Sequence, residues 1–128
     1  WTDGNILMAN STIDSSSSGN RGGAIFGNSY ETFNLSSSSI TNSSAGGEGG
    51  GIWMGDHSKI NAIDSHIDNN TSLSQGGGIY FTNNEPDTLL LDNSTIDYNI
   101  SIGEGGGVYA YDNDNFVYIE TFLKVVLL

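Results

Sequence analysis

Gly76-Gly77-Gly78-Ile79-Tyr80 decides the reading of this chain, because the same pattern occurs four times. The other copies are Gly22-Gly23-Ala24-Ile25-Phe26, Gly49-Gly50-Gly51-Ile52-Trp53 and Gly105-Gly106-Gly107-Val108-Tyr109. From one copy to the next the aliphatic residue advances by 27, 27 and 29 positions. Three further columns hold the same register. Ile13, Ile40, Ile67 and Ile96 form one. Ile6, Phe33, Ile60 and Leu89 form another, which a 27-residue step extends to Phe116. Met8, Leu35, Ala62 and Leu91 form the third, extended in the same way to Tyr118. The two-residue excess falls near Glu85-Pro86, where proline suits a lengthened loop.

A unit of about 27 residues with period-2 alternation around Ile60 and Ala62 offers about three short strands joined by Gly, Asn and Ser turns. One unit cannot bury its own apolar face, whereas stacked copies can. If each strand pairs in parallel with its equivalent one unit on, ~4.8 Å away, like residues fall on like. The pattern therefore predicts an all-β fold, a right-handed parallel β-helix of four to five coils, forming a rod roughly 23 Å tall. A propeller or sandwich needs longer repeats and hairpin turns of a kind this sequence lacks. The repeated glycines predict corners or close backbone approaches. Asn42/Asn69 and Asn70/Asn99 are placed for amide bonding along the stack. The same 27-residue step carries Ile96 to Leu123, predicting strands over Phe116-Val117-Tyr118-Ile119 and again from Leu123 to Leu128.

Composition narrows the function classes. The 128 residues carry 15 Asp+Glu against 3 Lys+Arg, a formal net charge of −12. Such a chain is repelled by phosphate backbones and anionic lipid, which argues against nucleic-acid partners and polybasic membrane docking. There is no cysteine, and no apolar run reaches the ~20 residues of a membrane helix, so no membrane insertion by this segment is expected. The register treats residues 1–128 as one β-helical segment. Trp1 aligns with Asn28, in mid-repeat, which predicts a piece of a longer repeat protein with the parent helix continuing at both ends. Lys124-Val125-Val126-Leu127-Leu128 is apolar and ends without a polar cap, predicting end-to-end self-association of the isolated segment.

Gly22-Gly23-Ala24-Ile25 matches a GGA[ILV] element, and Ile67-Asp68-Asn69-Asn70 and Ile96-Asp97-Tyr98-Asn99 match the preceding FxxN element with Ile for Phe. On these motifs the chain resembles the repeats of the polymorphic outer-membrane proteins and related bacterial surface proteins with pectin-lyase-like β-helices. The resemblance implies an extracellular or outer-membrane surface passenger, often an adhesin and sometimes exported as an autotransporter, whose partner is a carbohydrate or a host or cell-surface ligand.

An enzymatic reading demands particular residue types in particular places. A polysaccharide lyase needs a base and cations around an acidic substrate, but Arg21, Lys59 and Lys124 occupy three different columns. A glycoside hydrolase needs two carboxyls about 5–9.5 Å apart, which Asp68 and Asp97 approach by stacking alone. A non-enzymatic module is the reading adopted, with no catalytic residue assigned and a fragment of a carbohydrate-active enzyme as the alternative. Asp14, Asp68 and Asp97, interrupted by Thr41, make an acidic column that Ca²⁺ could relieve, and Asp112-Asn113-Asp114-Asn115 is a second oxygen-rich cluster. Neither has a calcium-loop pattern, and His57 and His66 have no partner cluster, so no cofactor or metal is assigned. The glycine runs are not phosphate loops, since no Lys-Ser/Thr follows. The candidate ligand-binding residues are Trp53, Tyr80 and Tyr109, which continue from Phe26 as an aromatic row. Parity sets that row opposite the inward aliphatics, so it is expected to be exposed or covered only by a loop. Mutual stacking that stiffens the sheet is the alternative role.

Overall fold

The computed structural model describes residues 4–82 and 87–111, together with the backbone of 117–121. Every strand pairing is parallel, and the chain winds as a β-solenoid. The first coil comprises β1 (Gly4–Ala9), β2 (Thr12–Asp14), β3 (Ser17–Ser18) and β4 (Ile25–Gly27). The second repeats it as β5 (Glu31–Ser36), β6 (Ser39–Thr41), β7 (Ser44–Ala45) and β8 (Ile52–Met54). The third follows as β9 (Lys59–Ile63), β10 (His66–Asp68), β11 (Thr71–Ser72) and β12 (Ile79–Phe81). In the fourth, β13 (Thr88–Asp92), β14 (Ile100–Ser101) and β15 (Val108–Ala110) form, while the second strand shrinks to a single bridge between Thr95 and His66. β16 (Val117–Thr121) opens a fifth coil. The unit thus has four strands where the alternation suggests three. The extra one is only two residues long, too short to carry a period of its own.

Registers match the columns. Ile25, Ile52, Ile79 and Val108 are partners in succession, as are Ile13, Ile40 and Ile67. Ile6, Phe33, Ile60 and Leu89 also stack. Phe33, Ile40, Ile52, Ile60, Ile79 and Leu89 have no accessible surface, so alternate residues of each strand close a single apolar interior. Burying an aliphatic or aromatic side chain of this kind contributes about 1.5–3 kcal/mol. Met54 and Phe81 are equally buried, and the sequence columns omit them. Their column reads Gly27, Met54, Phe81, Ala110, small beside large, so it packs by complementarity and shows no residue-type repeat.

The fifth coil corrects the predicted step. Leu89 pairs with Tyr118 and Leu91 with Glu120, an offset of 29 rather than 27, so neither Phe116 over Leu89 nor Tyr118 over Leu91 holds. In the first two coils eight residues separate the aliphatic from the next inward position, as from Ile52 to Ile60. Ten separate Ile79 from its counterpart Leu89, and ten again separate Val108 from Tyr118, which pairs with Leu89, so the 29-residue step recurs. Trp1, Asp112 to Phe116, and Leu123 to Leu128 lie outside the described residues, and so do the expectations placed on them.

The corners explain much of the Ser and Asn content. Each corner side chain accepts the backbone N–H of the residue one coil earlier. Ser11 N–H donates to Ser38 Oγ, Ser38 N–H to Ser65 Oγ, and Ser65 N–H to Ser94 Oγ, at 3.0–3.1 Å. At the next corner Ser43 N–H donates to Asn70 Oδ1 and Asn70 N–H to Asn99 Oδ1. The Asn70 and Asn99 amides bond along the stack as expected, Asn70 Nδ2 donating to Asn99 Oδ1 at 3.1 Å. Asn42 and Asn69 do not. They are corner residues with φ of 53° and 58°, and the Asn42 amide donates to Asp14 Oδ1 instead. Asparagine tolerates this left-handed conformation better than most residues, which accounts for its recurrence there. At the glycine corner the demand is stricter, with φ of +60° to +69° at Gly22, Gly49, Gly76 and Gly105.

A third corner ends on a carboxyl, since Ser58 N–H donates to Asp87 Oδ1 at 2.7 Å and Asp87 is buried. Burial pushes Asp87 up to about 7 against the Ser58 N–H, which favours the charged form, and the Asp56 carboxylate adds to the rise. Between about pH 4 and pH 7 the unfolded chain has released this proton and the folded chain retains it, so stability falls as pH rises through that window. The full shift corresponds to about 4 kcal/mol, and screening by water at the corner reduces it to about 2 kcal/mol. Asp87→Asn keeps an acceptor for Ser58 N–H and removes the charge. Urea unfolding should therefore find the variant more stable than the parent by about 2 kcal/mol at pH 8 and equal to it at pH 4.

Candidate functional site

The aromatic row is set by the register of the glycine-led strands β4, β8, β12 and β15, in which Phe26, Trp53, Tyr80 and Tyr109 are successive partners. Ring centroids are 4.5 Å apart for Phe26–Trp53, 6.4 Å for Trp53–Tyr80 and 5.4 Å for Tyr80–Tyr109, with interplanar angles of 3°, 10° and 11°. The rings are therefore stacked face to face along the solenoid. Tyr111 continues the row as a tilted neighbour of Tyr109 at 6.4 Å.

Exposure along the row is uneven. Phe26 is 55% exposed, but Trp53 retains only 7% of its surface, so the expectation of an open row fails at its centre. The reason is local. Neighbouring rings flank Trp53 on both sides, and the Arg21 guanidinium lies 5.0 Å from its centroid, a cation–π contact. Arg21 Nε also donates to Glu48 Oε2 at 3.0 Å. Trp53 Nε1 is buried without a hydrogen-bond partner among the described residues. Beside the row runs a polar column, Arg21, Glu48, Gln75 and Glu104, stacked through Gly22, Gly49 and Gly76 N–H bonds to the carbonyls of Glu48, Gln75 and Glu104. Burial, and next the Glu48 carboxylate, push the Tyr80 phenol above its usual range, so its hydroxyl remains a donor well into alkaline solution.

This arrangement leaves little ring face of Trp53 and Tyr80 for a ligand, since each is flanked by a ring on both sides. What remains for contact is ring edges, phenolic hydroxyls and the carboxylate and amide groups of the adjoining column. The chemistry on offer is hydrogen bonding to a polar, uncharged molecule.

The other candidates separate. Asp14 Oδ1 accepts from Asn42 Nδ2 at 2.7 Å and Thr41 Oγ1 at 3.0 Å, and these bonds, Asn42 first, hold its carboxyl below the usual range. Asp68 accepts from Thr95 Oγ1 at 3.1 Å and from Asp97 N–H at 2.8 Å. Donors from neighbouring coils thus answer the charge that stacking would otherwise leave opposed. Among the described residues no three His, Cys, Asp or Glu side chains gather as a metal site. His57 stacks on Tyr30 at 4.4 Å, whereas His66 Nδ1 meets Thr95 Oγ1 at 2.8 Å on another sheet. Sequence reasoning missed a shallow depression of about 410 Å³ where the first three coils turn, lined by hydroxyls of Ser11, Thr12, Ser38 and Ser39 with Asp64 and His66 at one end. Serine is too frequent here for its columns to mark such a place.

Comparison with known proteins gives one finding. Residues 64–82 match the Chlamydia polymorphic membrane protein repeat. The match begins at the corner before β10 and ends just after β12, so it covers most of the third coil. With the parallel solenoid around it, this bears out the resemblance read from the GGA[ILV] and FxxN elements. No curated protein and no solved structure matches the chain.

Proposed function

We propose that this chain is a non-catalytic β-helical module of a bacterial outer-membrane or secreted surface protein, serving as stalk or adhesin-like passenger. The observation that carries the reading is the coincidence of the repeat match with a structural coil whose register recurs before and after it. A rigid stack of such coils holds a binding surface away from an anchor, and the stacked rings stiffen it by about 0.5–1.5 kcal/mol per pair. Tyr80 and Tyr109, with the polar column beside them, form the proposed ligand-facing strip, and Trp53 packs next to them beneath Arg21. Its chemistry suits neutral oligosaccharides, which can bond to hydroxyls and carboxylates without charge repulsion.

Titration with neutral oligosaccharides, followed by tryptophan fluorescence, tests the strip. The account predicts a saturable change that Tyr80→Ala abolishes while the circular dichroism spectrum stays that of the parent and unfolding remains cooperative, the loss of two ring stacks lowering stability by about 1–3 kcal/mol. An unchanged signal across a panel of neutral glycans contradicts it. Release of reducing or unsaturated sugar products, lost in Asp68→Asn, would favour the enzymatic alternative.

A further inference from the structure

Charge along the aromatic row is not uniform. In the first two coils Arg21, Trp53 and Glu48 form a closed group. The Arg21 guanidinium lies 5.0 Å from the Trp53 centroid, and its Nε donates to Glu48 Oε2 at 3.0 Å. Arg21 belongs to the first coil, and the ring and carboxylate that hold it belong to the second. Two coils further along, the same ring and carboxylate pair recurs. Tyr109 lies two places beyond Trp53 in the row, and Glu104 lies two places beyond Glu48 in the polar column. Gln75 then stands where Arg21 stands, one coil before the carboxylate. Glutamine is shorter than arginine and uncharged, and among the described residues no cation meets Glu104. Partial desolvation, and next the Glu104 carboxylate beside it, push the Tyr109 phenol above its usual range. Coil four also adds a second ring. Tyr111 occupies a column filled by Gly55 and Thr82 in the preceding coils, and it lies tilted at 48° to Tyr109.

We infer that Tyr109 and Glu104, flanked by Tyr111, bind a guanidinium group of another molecule, in the place that Arg21 fills over Trp53. The chain's own occupant shows which cation fits. A planar guanidinium stacks against a ring and donates to a carboxylate at once, and a compact ammonium matches that geometry less well. The place opens sideways, not towards the end of the rod. Trp53 has the third coil stacked beyond it, through Tyr80 at 6.4 Å, and the Arg21 side chain there keeps 47% of its surface. Coils stacked beyond Tyr109 therefore leave the corresponding place accessible. The formal charge of −12 draws a cation towards it. Tyr80 and Gln75 still suit a neutral ligand, and the inference rests on the repeat geometry and not on sugar binding.

The test titrates the full chain with methylguanidinium and follows assigned NMR resonances. Those of Tyr109 and Glu104 should shift saturably, and less so as salt is raised. Glu104→Gln keeps the size of the side chain and removes its charge, and should weaken binding about fivefold. Gln75→Arg supplies the cation from within the chain, and should abolish binding with the circular dichroism spectrum unchanged. Arg21→Gln does the reverse. The Trp53 indole N–H, unmoved by the ligand in the parent, should shift in that variant as a second place of the same kind becomes accessible. An end-capped glycine pentapeptide with one central arginine that binds severalfold more tightly than methylguanidinium assigns the group to a partner protein, whereas equal affinity assigns it to a free guanidine. No saturable shift, methylurea or methylammonium binding as tightly as methylguanidinium, or undiminished binding by Glu104→Gln or Gln75→Arg would overturn the proposal. None of these outcomes bears on the glycan titration, so the two readings fail separately.

Discussion

Ile67→Asp should unfold the chain or leave it a collapsed state without cooperative melting. Ile67 is 1% exposed and lies between Ile40 on one strand and the Thr95–Ile96 segment on the other. The substitution removes about 2–5 kcal/mol of packing and adds a carboxyl with no donor in an apolar interior. Together these approach the whole stability of a domain, about 5–15 kcal/mol. The adjacent Asp68→Asn is the control. Its side chain faces outward and an amide oxygen still accepts from Thr95 Oγ1 or Asp97 N–H, so the loss should stay below about 1 kcal/mol. Thermal unfolding followed by circular dichroism distinguishes the two.

The second large effect concerns a glycine whose hydrogen atom is all that fits. At Gly77 an added Cβ would lie 2.4 Å from the Gly106 carbonyl oxygen and 2.5 Å from the Ile100 carbonyl carbon and oxygen. These are backbone atoms of the next coil, so no side-chain rotation relieves the clash and two coils must part. Gly77→Ala should cost about 3 kcal/mol, at the upper end of overpacking effects. Gly19→Ala, where nothing lies within 4 Å, should be neutral or slightly stabilising. A denaturant midpoint for each variant, at equal slope, checks both.

What could be read in the sequence follows from how the coils stack. A column is visible when the same residue type serves at every level, as with Ile13, Ile40 and Ile67 or with the Gly-Gly pairs. Gly27, Met54, Phe81 and Ala110 fill one column just as tightly by alternating volume, so a search for likeness passes over them. The corner serines and asparagines are as regular as the core, yet they are camouflaged by a chain rich in both. The 27-residue step into the fifth coil failed because the pairing offset there is 29, and the number of residues between columns leaves no mark on residue type. For the candidate site, the row Phe26, Trp53, Tyr80 and Tyr109 was legible by register and parity. The burial of Trp53 was not, since it depends on Arg21 folding over the ring from a different column.

The claim on which all of this rests is that residues 27 apart lie side by side. The chain has no cysteine, so a pair of introduced thiols reports on it without interference. Thr12 Oγ1 and Ser39 Oγ are exposed and 3.0 Å apart on paired strands, and a Cα spacing of ~4.8 Å lies within disulfide range. Under mild oxidation Thr12→Cys/Ser39→Cys should close fully to an intramolecular disulfide, seen as a mass loss of two hydrogens in the monomer. Thr12→Cys/Ser44→Cys, five residues out of register, should remain reduced. A free 12/39 pair, or equal closure of the 12/44 pair, would contradict the stacked register.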